Sequence, residues 1–290
     1  MSRRHTPGGI KANDNISFTV NNGETVALVG PNGSGKTTLI RQILSVISPG
    51  EGRILIDGRP DGLDSTAYVP QMPALYPALT VKETLLVTLK YLGVNKKKAE
   101  ERIARTLERT GLSRLSPQPS YTLSGGQRKL LSFASLLVQE AENLVMDEVT
   151  SMVDVVTKEL IWRLVEEERE RGCAILLSSH DISEVRKLST RLVVLKKGRI
   201  IFSGLPDEVQ NEYCHATLRT DNGEETRRIL ESSGCSYTCE NDVFSVVTGN
   251  LCEMIRLLER LSDSVAVTAL ECEHPAFYDG LISMLEKEEK

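Results

Sequence analysis

The sequence predicts an α/β fold: a mostly parallel sheet with helices on both faces, an inserted helical subdomain, and a small α+β unit at the carboxyl end. Three patterns carry this expectation. Short apolar runs alternate with amphipathic stretches from Thr25 to about Glu208; strand signal is missing from about 80 to 141; and a second, separate order of strands and helices follows residue 210.

Residues 26–29, 53–57, 66–69, 144–147, 174–178 and 191–195 are short runs bounded by turn-forming residues, and they read as the strands of the main sheet. The apolar series Leu39, Ile40, Ile43, Leu44 and Ile47 has the spacing of a helix directly after the first strand. In the insertion, Thr80 with Glu83 forms a capping box ahead of Leu85, Leu86 and Leu89. A charged helix runs over 96–109, and another follows Ser124. From 210 onward the pattern reads β-α-β-β-α-β, with strands at 215–220, 236–239, 243–247 and 265–270, helices at 224–233 and 251–261, and a last helix over 276–285. That order is the one of a ferredoxin-like sandwich. The expected division is thus 1–209, with a helical subdomain at about 80–141, and 210–290.

The chain has 290 residues, 40% of them hydrophobic and 26% charged, enough for one large and one small domain. Its apolar stretches fall short of a membrane span, and its Arg-containing start lacks the apolar segment of a signal peptide, which places it in the cytosol. A net charge of −5 gives no electrostatic footprint for nucleic acid, and Lys96, Lys97 and Lys98 read as the solvated start of a helix. Cys214, Cys235, Cys239, Cys252 and Cys272 lie beside His215 and His274, but without the Cys-x2-Cys spacing of structural zinc; small core residues are the simpler reading.

The most informative stretch is Gly30-Pro31-Asn32-Gly33-Ser34-Gly35-Lys36-Thr37-Thr38, set between a strand and a helix. Its glycines let the backbone curl so that N–H groups point inward, and the following helix adds the positive end of its dipole. Lys36 can reach the terminal phosphates of a nucleoside triphosphate, and the Thr37 hydroxyl can ligate Mg2+.

A second motif, Leu123-Ser124-Gly125-Gly126-Gln127, opens a helix with Ser124 as cap and Gln127 as its capping-box partner. Two glycines in the first turn cost about 1 kcal/mol each against alanine. What they provide is a helix tip with exposed N–H groups, a second anion site.

Residues 143–148 place Asp147 and Glu148 at the carboxyl end of an apolar strand, where α/β sheets put their ligands. Asp147 is a candidate to hold Mg2+ through water, and Glu148 to polarise an attacking water. Gln71 ends the strand at 66–69, and His180 follows the strand at 174–178 and precedes a predicted Asp181-x-x-Glu184 capping box.

Taken in order, the phosphate loop, Gln71, Leu-Ser-Gly-Gly-Gln, the Asp147-Glu148 pair and His180 resemble the ATP-binding subunit of an ABC transporter, over residues 12 to about 205. The resemblance implies a P-loop NTPase core that hydrolyses ATP with Mg2+ held by Thr37, Asp147 and Gln71. It implies that Gln71 also senses a membrane permease and that His180 touches the γ-phosphate. Ser124, Gly125, Gly126 and Gln127 would complete the site of a second ATP-binding subunit, a copy or a paralogue, with Asp154 across the junction. The chain would then lie peripherally on the inner face of the cell membrane, carried by a separate permease contacted near 73–77.

The carboxyl-terminal unit resembles, more loosely, the appendage of exporter ATPases with separate permease chains, and Pro275-Ala276-Phe277-Tyr278 stands at the corresponding stretch. Export is therefore the expected direction. The chain departs from the pattern at Val149 and Val155, where prolines are usual, and at Leu130 and Ser135, where arginines are common. Residues 1–9 lack the aromatic that usually stacks on adenine, His5 or Pro7 falling near its place.

Two other readings compete. A soluble ABC-type switch in translation or DNA repair usually has two ATPase halves or long coiled-coil insertions, and here there is one half without a sustained heptad run. A small-molecule P-loop kinase would need an acceptor site and a lid.

Overall fold

In the computed structural model, which describes residues 11–60, 62–209, 214–240, 242–248 and 251–273, the chain divides into two compact units, Met1–Gly204 and Leu205–Lys290. The division falls five residues ahead of the expected 209/210 boundary.

The larger unit is organised by a six-stranded sheet. In chain order its strands are β1 (Thr25–Val29), β2 (Thr66–Val69), β3 (Asn143–Asp147), β4 (Ala174–Ser178), β5 (Arg191–Lys196) and β6 (Arg199–Gly204). They lie in the order β2-β3-β4-β1-β5-β6, the first five parallel and β6 antiparallel at the edge. Register is regular: Asp147 sits opposite Ser178 across β3 and β4, and Leu28 opposite Ser178 across β1 and β4. Because these strands are parallel, the loops that follow β1, β2, β3 and β4 all leave the sheet at one edge.

Both faces are covered, so the strands read as near-continuous apolar runs while their side chains alternate between two cores. Val26, Leu28, Val145 and Leu176 pack with Leu39 and Ile40 of α1 (Lys36–Ile43) on one face. Leu144, Met146, Ile175 and Leu177 face the other core, which continues without a break into the helical insertion through Val81, Leu85, Leu89, Ile103, Leu131 and Phe133.

That insertion consists of α2 (Val81–Tyr91), α3 (Lys96–Arg109) and α4 (Gly125–Leu137) with two short 3-10 turns. Thr80 caps α2 reciprocally with Glu83, at 3.1 Å from the Glu83 N–H and 2.9 Å back from the Thr80 N–H. Asn95 caps α3, accepting from the Lys98 N–H at 3.0 Å. Helices α5 (Val155–Glu170) and α6 (Ile182–Leu188) complete the unit. Phe133 is fully buried where insertion and sheet share their core. Phe133→Ala is therefore expected to cost about 3–5 kcal/mol of unfolding free energy, read by denaturant titration.

Two sequence expectations are corrected. The stretch 53–57 is not a strand among the described residues; the one ladder contact it makes with them is an antiparallel bridge, Ile56 with Arg59, where the two residues close a tight turn on themselves. Conversely, β6 was not foreseen. Its hairpin with β5 turns on Lys197 and Gly198, both with positive φ (47° and 78°), which suits the twist of a two-residue hairpin.

In the smaller unit β7 (Cys214–Thr220), α7 (Gly223–Ser233), β8 (Ser236–Glu240), β9 (Val243–Thr248), α8 (Leu251–Ser262) and β10 (Val267–Glu273) follow one another. The sheet order is β10-β7-β9-β8, every pair antiparallel. Ala216, Leu218, Phe244 and Val246 point to one face and form a core with Leu230, Met254, Leu257 and Leu261 of the helices. Cys214 is buried, and Cys235 and Cys239 pack against the same core. The last helix at 276–285, the Pro275–Tyr278 motif, His274, and His5 and Pro7 lie outside the described residues.

Candidate functional site

The site is assembled at the carboxyl edge of the parallel strands. Residues 30–35 leave β1 as a tight loop and feed α1. A Cβ on Gly30 would stand 2.2 Å from the Leu195 carbonyl oxygen, so only glycine lets the loop pass β5. Gly35, with φ 107°, would bring a Cβ within 2.5 Å of the Ala12 carbonyl oxygen. The Gly198 N–H, from the unforeseen hairpin, donates to the Ser34 carbonyl at 3.0 Å and props the loop from behind.

Inside this loop the Lys36 ammonium is buried and donates to the Gly30 carbonyl at 2.6 Å and the Pro31 carbonyl at 3.2 Å. Burial pushes its pKa down, while Glu148 and Asp147 pull it back up. The Ser34 hydroxyl is buried and has no hydrogen-bond partner among the described residues. A curled loop, an orphaned hydroxyl and a lysine parked on loop carbonyls form a cradle suited to the phosphates of a nucleotide. Thr37, at the first turn of α1, is exposed, and Thr38 beside it is half-buried. Pro31, Asn32 and Gly33 stand exposed at the loop's crest.

Opposite the loop, the ends of β2, β3 and β4 bring three predicted residues together. The Gln71 amide Nε2 donates to Glu148 Oε2 at 2.6 Å, and His180 Nδ1 lies 3.4 Å from the same oxygen. Asp147 is buried and accepts a hydrogen bond from the Ser178 hydroxyl. Glu148 has a φ of 49°, an uncommon conformation for a non-glycine residue, and the surroundings hold it there. Its N–H donates to the Ser178 carbonyl at 3.0 Å, and its own carbonyl accepts from the Ser151 N–H at 3.2 Å. The Thr37 hydroxyl, the Asp147 carboxylate and the Gln71 side-chain carbonyl are hard oxygen donors, a set that suits Mg2+.

The second anion motif is separate. Ser124 and Gly125 are exposed at the tip of α4; the Ser124 hydroxyl accepts from the Gln127 N–H at 3.2 Å, and Gln127 Oε1 accepts from the Ser124 N–H at 2.9 Å. Among the described residues, no hydrogen bond joins this tip to the phosphate loop of the same chain. Asp154 caps α5, accepting from the Thr157 N–H at 2.9 Å, and lies beside Gly126, whose added Cβ would meet it at 3.5 Å. The hydrogen bonds from Thr157 hold the Asp154 carboxyl below its ordinary range. Around it Met152, Val155 and Val156 are exposed, an apolar patch beside the tip.

Several residues of the site were not singled out from sequence. Ser178 orients Asp147, and Lys129 reaches behind Glu148. The expected capping box at His180 is also corrected. Asp181 does cap α6, accepting from the Ser183 and Glu184 N–H groups at 2.9 and 3.2 Å, but Glu184 does not reciprocate. Its carboxylate turns inward, where Thr150 Oγ1 donates at 2.6 Å, Trp162 Nε1 at 3.1 Å, and the Ser179 hydroxyl donates to the other oxygen.

Burial pushes the Glu184 carboxyl up from its ordinary value, against these hydrogen bonds. A raised folded pKa means that the associated stability is fully present below the ordinary value of 4.5 and is lost as pH rises through the raised one. Glu184→Gln imitates the protonated acid. Its Tm advantage over the parent is expected to grow as pH is raised from the ordinary carboxylate range toward neutrality; a Tm difference that stays constant with pH would contradict this.

Known proteins resemble this chain in sequence and in fold. The family profile described as "ABC transporter" matches residues 13–151. The Nod factor export ATP-binding protein I of Rhizobium etli is 37% identical over 204 residues, covering 68% of this chain and 64% of that protein. The SkfA peptide export ATP-binding protein SkfE of Bacillus subtilis is 32% identical over 192 residues, covering 65% of this chain and 80% of that protein. A solved ATP-binding cassette, dimeric in a post-hydrolysis state with ADP and Pi bound, superposes with a TM-score of 0.63 at 26% identity, covering 70% of this chain and 94% of that one. The chain belongs to the ABC transporter family, as one of its ATP-binding subunits, and its fold is that of the ABC ATPase domain. It matches 60–67% of the length of the Nod factor relatives.

Proposed function

We propose that this chain binds ATP in the loop Gly30–Thr38, hydrolyses it, and uses the cycle to drive export through a separate membrane permease. The observation that carries the reading is the position of the Glu148 carboxylate, held between the Gln71 amide and His180 at the sheet edge that also bears Lys36. A carboxylate so placed can accept a proton from water while His180 and Gln71 keep it in register. Lys36, released from the loop carbonyls, would pair with the terminal phosphates. Mg2+, held by Thr37, Asp147 and Gln71, would supply positive charge to the phosphate oxygens.

The partner would be a second ATP-binding subunit, a copy of this chain or a paralogue. Its Ser124–Gly126 tip would close over the nucleotide, with the Met152, Val155 and Val156 patch and Asp154 at the junction. ATP favours the closed pair and its loss opens it, which is the work stroke. The permease would dock where Met72 and Tyr76 stand exposed beside the Gln71 loop, so that Gln71 links transport to hydrolysis. The chain would then sit on the cytoplasmic face of the membrane, and the unit beyond residue 204 would be an accessory domain. The exporter names of the relatives support the direction. No helix among the described residues is long and apolar enough to cross a membrane.

The reading is tested by Mg2+-dependent phosphate release from the purified chain and by co-purification of a polytopic membrane protein from native membranes. Turnover without any membrane partner would favour the soluble-switch alternative, and absence of turnover would contradict the ATPase reading itself.

A further inference from the structure

We propose that Lys129 is a positioning residue that fixes the Glu148 backbone turn and ties it to the helix bearing Ser124 and Gly125. The inference rests on Glu148 being the group that activates water. Lys129 lies one turn into α4 and is 8% exposed. Its ammonium donates to the Gln71 carbonyl at 2.5 Å, the Glu148 carbonyl at 3.1 Å and the Ser151 hydroxyl at 2.8 Å.

All three N–H donors of the ammonium are used, and the acceptors come from separate segments: the loop after β2, the end of β3, and the turn before α5. Each acceptor belongs to a residue, or directly adjoins one, with a place in the proposed cycle. Glu148 is the residue that most needs holding, because its φ of 49° persists only if the surroundings over-determine it. Of its two peptide anchors, the N–H is fixed by β4 and the carbonyl by Lys129 together with the Ser151 N–H. The ammonium also holds the Gln71 backbone, and the Gln71 amide holds the Glu148 carboxylate from the other side. Lys129 thus sets both ends of the Gln71–Glu148 contact without touching the phosphate loop.

A cation suits this place. Taking the ammonium out of water pushes its pKa down, but Glu148, Asp147 and Glu184 act in the opposite sense. A single donor group on the insertion therefore spans the gap between the exposed α4 tip and the water-activating turn. When a partner's nucleotide engages the tip, any movement of α4 is transmitted to Glu148 directly through its carbonyl and indirectly through Gln71 and Ser151.

The test uses the full-length chain. Lys129→Met keeps length and packing and removes the donors; Lys129→Gln restores two N–H donors without the charge. Loss of position at a reacting group costs about a hundredfold in rate. The expected result is a kcat lowered about a hundredfold in Lys129→Met with the ATP Kd within about twofold of the parent, and an intermediate kcat in Lys129→Gln. Should Lys129→Met not fold, Lys129→Gln decides alone, its kcat falling at unchanged Kd. A parental kcat in the variants, or a loss matched by an equal weakening of ATP binding, overturns the inference. Normal turnover by Glu148→Gln would instead remove the water-activating role of Glu148 on which the inference rests; an inactive Glu148→Gln beside a fully active Lys129→Met overturns the role of Lys129 alone.

Discussion

Glu148→Gln should bind ATP with a Kd within about twofold of the parent and hydrolyse it at least about a hundredfold more slowly, the range expected for loss of a general base. The substitution keeps the shape of the side chain and its place between Gln71 and His180. It leaves Lys36, Ser34 and the loop backbone untouched, so the phosphates keep their partners. What disappears is the acceptor for the proton of the attacking water. Phosphate release and equilibrium nucleotide binding, measured on the same preparation, separate the two effects. Normal hydrolysis by this variant would remove Glu148 from the mechanism.

Gly125→Glu should abolish turnover by a different route. Gly125 is exposed at the first turn of α4 with nothing within 4 Å of an added Cβ, so the substitution fits without strain. A carboxylate at a helix N-terminus stabilises the helix by about 0.3–1 kcal/mol, so the Tm should hold or rise. The same carboxylate fills the anion site with negative charge. A partner's γ-phosphate would then meet repulsion where it needs N–H groups, and hydrolysis should fall by about a hundredfold or more, as when an aimed donor is lost from a transition-state site. ATP binding to the chain's own loop should persist. A fully active Gly125→Glu would mean that the tip plays no part in the cycle.

Much of this site was legible in the sequence because each of its motifs is local. Gly30 to Thr38, Asp147-Glu148 and Ser124 to Gln127 are contiguous runs whose residue types declare their chemistry, and the strands beneath them are short apolar runs that fix where they emerge. The strand at 53–57 failed for a physical reason: its alternation suits a half-buried strand, yet Ile56 and Arg59 close on each other rather than on a neighbour. The hairpin of β5 and β6 was signalled only by Lys197-Gly198, a weak turn cue inside a charged stretch.

Lys129 and Glu184 were hidden more deeply. Both are polar residues on otherwise ordinary amphipathic helices, where such residues usually face solvent. Apart from Ser179, five residues before Glu184, their partners lie far off in sequence: Gln71, Glu148 and Ser151 for Lys129, Thr150 and Trp162 for Glu184. Only the fold brings them together, and spacing within one helix carries no trace of it.

The most direct measurement is sedimentation of Glu148→Gln in ATP, in ADP and without nucleotide, beside Glu148→Gln combined with Gly125→Glu. If triphosphate is clasped between the loop of one chain and the α4 tip of another, Glu148→Gln sediments at twice the mass of the chain in ATP alone, and the double variant stays at single mass throughout. A single mass for Glu148→Gln at saturating ATP, or pairing that survives Gly125→Glu, would contradict it.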